Sequence, residues 1–174
     1  MDIEAVAGDI TTQQVDAVVN AANSSLMGGG GVDGAIHRAA GPGLLAECME
    51  LRRTELPDGL PVGRAVPTAG HDLPAPWVIH TVGPNRHRGQ TDPAELAACF
   101  TSALEVAETV AARSVAFPAV GAGVYGWDAT EVAELAVAAV REFAERPDHG
   151  IDLVRFVLFD EQILGAFQAE LGRR

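Results

Sequence analysis

A chain of 174 residues is long enough to bury one hydrophobic core. Its 24 acidic residues, against 12 arginines and no lysine, give a formal net charge of −12, which argues against broad, nonspecific nucleic-acid binding. The two cysteines, Cys48 and Cys99, lie in apolar stretches and are too few for a disulfide framework, so we predict buried free thiols. The acidic start lacks an apolar secretory segment and no apolar run approaches the ~20 residues that span a bilayer, which together predict a cytoplasmic protein without a membrane partner.

Apolar runs alternate with amphipathic segments along the whole chain, which predicts a single α/β domain over residues 1–174. The apolar runs are mostly continuous, as expected for parallel strands covered by helices on both faces. We predict strands at residues 3–7, 17–21, 63–67, 77–82, 115–118 and 153–159. Helices are predicted to begin near Asp33, Gly43, Asp92, Asp128 and Asp160, and the last three aspartates are placed to cap the free N–H groups of their helices.

The most informative segment, residues 20–37, joins a strand end, a loop of four successive glycines (Gly28 to Gly31) and the start of a helix. Glycine lets a backbone approach a ligand closely, and a helix N-terminus directs free N–H groups and partial positive charge at an anion. The segment therefore predicts a phosphate-binding loop.

A second glycine-rich turn, residues 121–126, follows the fifth predicted strand. Loops at the carboxyl ends of parallel strands converge, so the two loops could hold a diphosphate from both sides, although either alone could simply be a tight turn. Without lysine there is no P-loop motif, and no dinucleotide-binding glycine motif follows the first strand. The basic segment 86–90 could be a solvated loop or the rim of a ligand site.

Four motifs together resemble the macrodomain family over nearly the whole chain: Gly8-Asp9-Ile10-Thr11, Asn20-Ala21-Ala22-Asn23, the loop from Gly28 to His37, and Gly123-Val124-Tyr125-Gly126. The resemblance implies a three-layer α/β/α fold with a central mixed, mostly parallel sheet. The Gly-Val-Asp-Gly-Ala-Ile-His run is similar to the branch that removes mono-ADP-ribose from acidic side chains and deacetylates O-acetyl-ADP-ribose. The implied partners are ADP-ribose, mono-ADP-ribosylated proteins and O-acetyl-ADP-ribose, with no cofactor and no specific nucleic acid.

The same resemblance implies the ligand-binding residues. Asp9 and the Ile10 N–H would bind adenine, and Phe159 would pack against it, although Asp9 could merely cap a short helix and Phe159 could belong to the core. One phosphate would be held by Gly30, Gly31 and Val32. The other would be held by a second set, Gly121, Ala122, Gly123, Val124 and Tyr125, and Tyr125 would also shield the distal ribose.

Asn23, Asp33 and His37 are the implied catalytic residues. Asn23 would bind the distal ribose hydroxyls while Asn20 braces the loop, although both amides could simply satisfy backbone groups. Asp33 would orient or deprotonate the attacking water, unless the phosphate of the ligand activates it, and His37 would position Asp33 or serve only in packing. Proton transfer of this kind contributes typically ~10²–10⁴-fold to a rate.

Some positions depart from the family pattern. Where many members carry serine or threonine in the second loop, this chain has Gly121-Ala122-Gly123, so no hydroxyl contact to phosphate is expected there. The glutamate pair of the chain-degrading relatives is missing, and His71, His80 and His87 lie on separate segments, so we predict no metal site. A reader that binds ADP-ribose without cleaving it is the main alternative, followed by an ADP-ribose 1″-phosphate phosphatase.

Overall fold

One twisted sheet organises the computed structural model, which describes residues 1–173. Within these residues the sheet has six strands: β1 (Asp2–Ala7), β2 (Ala17–Ala22), β3 (Ala65–Ala69), β4 (Trp77–Val82), β5 (Ser114–Phe117) and β6 (Leu153–Leu158). The accompanying helices are α1 (Gly31–Ala40), α2 (Pro42–Arg53), α3 (Pro93–Thr109), α4 (Ala129–Ala144) and α5 (Glu161–Leu171). Short 3-10 helices occupy Ile10–Thr12 and Arg86–Arg88.

The sheet is mixed and mostly parallel, as predicted. Its strand order is β1-β6-β5-β2-β4-β3, and β3 alone among the described strands runs antiparallel to its neighbour. Consequently β2, β5 and β6, which lie side by side, all end at the same edge. The loops that leave these three strands are thereby brought together, which is where open α/β folds bind ligands.

Hydrophobic residues cover both faces of the sheet, which explains the continuous apolar runs. Val18 faces a core built with α1 and α2, whereas its neighbour Val19 faces a core built with α3, α4 and α5. The pairs Val78 and Ile79, and Val157 and Phe156, divide in the same way because successive strand side chains point to opposite faces. The predicted three-layer α/β/α fold is confirmed.

Most local predictions agree with the structure. The three capping aspartates each accept a backbone N–H: Asp92 from Ala94, Asp128 from Thr130, and Asp160 from Gln162 and Ile163. Both cysteines are buried free thiols, as predicted. Among the described residues, no helix combines the length and the apolarity needed to cross a membrane.

The start of the third strand and the end of the sixth are two of the seven strand boundaries that differ from the prediction by one or two residues. The third strand begins at Ala65 rather than at Gly63, because Gly63 has a left-handed φ of 81° and Arg64 closes a turn onto the Pro61 carbonyl. The sixth strand ends at Leu158, one residue before Phe159. Both errors lie at strand ends, where loop geometry competes with the apolar pattern.

Candidate functional site

A cleft of about 470 Å³ opens at the shared carboxyl edge of β2, β5 and β6. Its walls are residues 29–33 after β2, residues 118–125 after β5 and residues 157–160 at the end of β6. Volumes of roughly 300–1,000 Å³ are usual for sites that enclose a small molecule. The cleft therefore lies where the two glycine loops were predicted to converge.

The first glycine loop presents backbone to the cleft. Gly30 and Gly31 face open space, so that a Cβ at either position would meet no atom within 4 Å. Gly30 is the N-cap of α1 and supplies no side-chain cap, which leaves the first N–H groups of this helix free for an anion. A Cβ at Gly34, by contrast, would collide with the Gly29 carbonyl, so glycine at 34 is needed for the loop to pack on its own helix.

The second glycine loop is shaped by three left-handed glycines, Gly121, Gly123 and Gly126, with φ between 82° and 88°. Behind it lies Trp127, which is buried and donates its indole N–H to the Pro84 carbonyl over 2.9 Å. The Trp127 ring also packs within 3.2 Å of the position that a Cβ at Gly121 would take. This loop is therefore held by packing as well as by its own turns.

The basic segment 86–90 supports the second loop from outside the cleft. The Arg86 N–H donates to the Tyr125 carbonyl over 2.9 Å, and the Arg86 guanidinium lies 4.1 Å from the centroid of the Trp127 ring. The same guanidinium pairs with Glu131 at 3.1 Å. Its neighbours His87 and Arg88 are exposed to solvent. Arg86 therefore supports the second loop. Neither alternative for this segment, a solvated loop or the rim of a ligand site, describes Arg86.

Asn23 closes the first loop at the cleft wall. Its amide nitrogen donates to the Gly28 carbonyl over 3.0 Å, and its oxygen accepts from the Ser25 hydroxyl. The side chain thus satisfies a backbone carbonyl just after the end of a strand, which was the alternative to ribose binding. It also lines the cleft. The bond to the Gly28 carbonyl uses one of the two amide hydrogens of Asn23.

Asp33 is the buried acid of the cleft. It is only 6% exposed, yet it lines the cleft wall beside the first glycine loop. Its Oδ1 accepts from the Asn20 amide over 2.8 Å and lies 3.4 Å from His37 Nε2. Burial raises the pKa of Asp33, while the hydrogen bond from Asn20 and the charge of His37 act in the opposite direction.

Asn20, which was predicted to brace the first loop, lies behind Asp33 and does not line the cleft. Its side chain is fully buried, and it donates to Asp33 and, over 3.1 Å, to His80 Nδ1. His80 Nε2 in turn lies 2.9 Å from the hydroxyl oxygen of Thr68. Sequence analysis missed this network, although the polar residues that interrupt the apolar runs of β2 and β4 were a signal. Asn20 and His80 occupy paired positions in the parallel register of these strands.

His37 lies behind Asp33 rather than in the cleft wall. Its ring carbons come within 3.6 Å of the position that a Cβ at Gly28 would take. Within residues 1–173 its Nε2 has no hydrogen-bond partner, and the 3.4 Å approach to Asp33 Oδ1 is an ion pair only when His37 is protonated. This placement suits a residue that acts on Asp33.

Comparison with known proteins decides the family. The sequence model of the Macro domain matches residues 19–136. The chain belongs to the macrodomain family. It is 51% identical to a macro domain-containing protein of Streptomyces coelicolor over 98% of both chains. It is also 49% identical to a protein of Klebsiella pneumoniae named O-acetyl-ADP-ribose deacetylase, over 97% of this chain and 95% of the relative.

Solved macrodomains have the same fold. A structure of the Oceanobacillus iheyensis macrodomain with ADP superposes with a TM-score of 0.88 at 43% identity, covering 96% of this chain and 88% of that chain. The Trypanosoma brucei macrodomain in complex with ADP-ribose also gives 0.88 at 38% identity, covering 98% of this chain and 69% of its own. Both neighbours bind nucleotides that contain a diphosphate.

The remaining site predictions for this macrodomain concern adenine. Phe159 is 81% exposed and lines the cleft, so the alternative that it belongs to the core is wrong. Asp9 caps the Ile10–Thr12 helix: its Oδ1 accepts from the Thr11 N–H at 2.9 Å and from the Thr11 hydroxyl at 2.7 Å, and these bonds lower its pKa. Ile10 is buried beside it. The capping alternative for Asp9 is thus observed, and its adenine contact stays a prediction.

Proposed function

We propose that this macrodomain binds ADP-ribose in the cleft and hydrolyses ester bonds at the distal ribose. Its substrates would be proteins that carry mono-ADP-ribose on glutamate or aspartate, and O-acetyl-ADP-ribose. The proposal is supported by relatives at 49% identity that are named O-acetyl-ADP-ribose deacetylase. The observation that carries it is Asp33, a carboxylate buried beneath a glycine loop and yet present in the cleft wall.

The binding half of the proposal depends on backbone. Gly30, Gly31 and Val32 would donate N–H groups to one phosphate, helped by the uncapped N-terminus of α1. Residues 121–125 would donate to the other phosphate from left-handed turns, in which successive N–H groups can form an anion-binding concavity. Because both loops use backbone dipoles, they can bind a diphosphate despite a net charge of −12.

We assign binding sites for the adenine and the distal ribose from the positions of the residues that line the cleft. Phe159 presents an exposed ring for the adenine. It follows Leu158, whose carbonyl accepts from the N–H of Gly8, the residue before the predicted adenine contacts Asp9 and Ile10. Asn23 and Tyr125 both line the cleft, where they would enclose the distal ribose. In this orientation the ester bond would lie beside Asp33.

Asp33 would act as the general base. In both substrate classes an ester joins a carboxyl group to the distal ribose, so addition of water yields a ribose hydroxyl and a free carboxylic acid. Asp33 would take a proton from that water, and burial, which raises its pKa, also makes it a stronger base than an exposed aspartate. Backbone N–H groups already fixed around the phosphates would stabilise developing charge without reorganising.

The test compares wild type with Asp33→Ala on a protein mono-ADP-ribosylated at glutamate or aspartate, and on O-acetyl-ADP-ribose. Free ADP-ribose and acetate are quantified, and ADP-ribose affinity is measured by calorimetry. We expect the variant to lose at least ~10²-fold in kcat with little change in Kd, because the loops and not this carboxylate hold the diphosphate. Asp92→Asn, which keeps a helix cap away from the cleft, is the matched control.

Product formation unchanged in Asp33→Ala would remove this carboxylate from the mechanism. No product from either protein, with ADP-ribose binding intact, would contradict hydrolysis and support the reader alternative.

Among residues 1–173 no three His, Cys, Asp or Glu side chains are grouped to hold a metal ion, and we propose a metal-independent reaction. EDTA should accordingly leave the rate of the wild type unchanged.

A further inference from the structure

A chain of buried polar side chains links the edge strand β3 to the catalytic aspartate. Thr68, His80 and Asn20 are each at most 1% exposed, and Asp33 is 6% exposed. Three contacts join them in that order, at 2.9, 3.1 and 2.8 Å. Polar groups buried in an apolar layer are costly unless they are hydrogen-bonded, so each member of this chain depends on the next.

The direction of each hydrogen bond follows from the chemistry of the members. An ionised Asp33 only accepts, so Asn20 must turn its amide nitrogen toward it. The same nitrogen faces His80 Nδ1, which must therefore be the unprotonated, accepting nitrogen of the ring. His80 Nε2 then carries the hydrogen and donates to the Thr68 hydroxyl oxygen. Burial lowers the pKa of His80 to about 3, in keeping with a neutral ring.

The opposite arrangement conflicts with catalysis. If the Asn20 amide were turned over, its oxygen would face Asp33, and that contact would be favourable only when Asp33 is protonated and unable to act as a base. His80 would then need its hydrogen on Nδ1 and would lose its donor to Thr68. The tautomer of His80 and the orientation of Asn20 are thus coupled to the charge of Asp33.

We propose that His80, held by Thr68, is a positioning residue that keeps the Asn20 amide turned to donate to Asp33 and so maintains the aspartate as a carboxylate. This proposal rests on the proposed role of Asp33 as the base. His80 has no place in the cleft wall and acts only through Asn20.

The groups around Asp33 define what a pH measurement would report. His37 faces it from α1, Asn20 from β2, His80 through Asn20 from β4, and Cys48 from α2. Burial raises the pKa of the Cys48 thiol to about 12, which leaves it uncharged. His37 is thus the titratable neighbour whose charge lowers the pKa of Asp33 in the same direction as the hydrogen bond from Asn20, and it is unchanged in the variants below.

The experiment compares His80→Leu with His80→Asn. Leucine offers no acceptor to Asn20, whereas asparagine keeps an oxygen near the position of Nδ1. For His80→Leu we expect the acidic limb of kcat/KM against pH to move up by about one pH unit, with about a tenfold lower kcat/KM at pH values below that limb and ADP-ribose Kd within about threefold of wild type. His80→Asn should recover most of this loss.

A second pair of variants, at Thr68, tests the proposal even if the His80 variants do not fold. Thr68→Val removes the hydroxyl at the far end of the chain, and Thr68→Ser restores it. We expect an upward shift of the pH limb, smaller than in His80→Leu, for the valine variant alone. Thr81→Val is the matched control, because Thr81 is an equally buried threonine whose hydroxyl donates to the Arg64 carbonyl over 2.8 Å and has no link to Asp33.

Titration of the Asp33 carboxyl carbon by NMR separates this proposal from the proposed function. If wild type proves inactive, the proposed function fails, yet the titration still tests whether His80→Leu and Thr68→Val raise the pKa of Asp33. Unchanged titration and unchanged pH profiles in folded variants would overturn the positioning role. An identical shift in Thr81→Val would overturn it as well, since a general loss of packing would then be sufficient.

Discussion

The two glycine loops have similar compositions and lead into helices that begin differently. Gly30 is the N-cap of α1, and Asp33 follows at the third helical position; Asp128 is the N-cap of α4, and Glu131 occupies the same third position. At α4 the aspartate caps the helix and Glu131 pairs with Arg86. At α1 no side chain caps the helix, and the acid is buried against Asn20.

This difference separates a helix start that is closed by its own side chains, at α4, from one whose N–H groups are left free, at α1. The side chains that satisfy the start of α4 stabilise the second loop but leave that helix terminus closed to an anion, so the second loop must bind through its own turns. The start of α1 keeps its N–H groups free and places a carboxylate beside them. The chemistry is therefore expected on the α1 side, with the second loop as a firm opposite wall.

The largest effect is expected from Gly30→Asp, which gives α1 an aspartate N-cap like that of α4. Gly30 has φ −91° and ψ −175°, the extended conformation of ordinary N-cap residues, so an aspartate can cap α1 there. Its carboxylate would occupy the free N–H groups and repel phosphate. We expect ADP-ribose affinity to fall by about 100-fold in calorimetry, with thermal stability equal to or slightly above wild type.

Gly30→Ala is the control for this change, because a methyl group at this position meets no atom within 4 Å and carries no charge. An affinity for Gly30→Asp equal to that of Gly30→Ala would contradict the role of the free helix terminus.

A second comparison concerns stability. A Cβ at Gly121 would lie 3.0 Å from Leu96 and 3.2 Å from Trp127, and its φ of 88° is unfavourable for any other residue. We expect Gly121→Ala to lower the free energy of unfolding by about 2 kcal/mol in urea denaturation, from strain and crowding together. Gly30→Ala should change it by less than about 0.5 kcal/mol. Equal losses would mean that the first loop is as tightly supported as the second.

The smallest effects, of opposite sign, are expected from the two acids at the third helical position. Burial raises the pKa of Asp33, so folding favours its protonated form, and the stability of wild type falls as pH rises through the folded-state pKa. Asp33→Asn should therefore be more stable than wild type at pH 7, and this advantage should vanish below the ordinary pKa of aspartate. Glu131→Gln should cost about 0.5 kcal/mol by weakening the half-buried pair with Arg86.

Thermal unfolding of both variants at pH 3.5 and pH 7 measures these changes. A loss of stability at pH 7 in Asp33→Asn would show that the contacts of this carboxylate outweigh its desolvation.

Features that depend on a few neighbouring residues were predictable. The capping aspartates, the two glycine loops and the alternation of strands and helices all arise from contacts within one or two turns of chain. The prediction that one parallel edge would gather both loops was also confirmed, because parallel strands with helical crossovers end on the same side. The errors at Gly63 and Phe159 fell where local turn geometry, and not the apolar pattern, set the end of a strand.

By itself the sequence determined the fold class, the two glycine loops and the position of Asp33 in the first turn of a helix, since glycine conformations and helix ends are local properties. Only the tertiary structure decided that Asn20 lies behind Asp33 and that His80, 60 residues further along the chain, contacts Asn20. The support of the second loop by Trp127 and Arg86 was also decided by the tertiary structure. Those contacts depend on strand register and on which face each side chain takes. Both are set by burial of the whole core rather than by any segment of the chain.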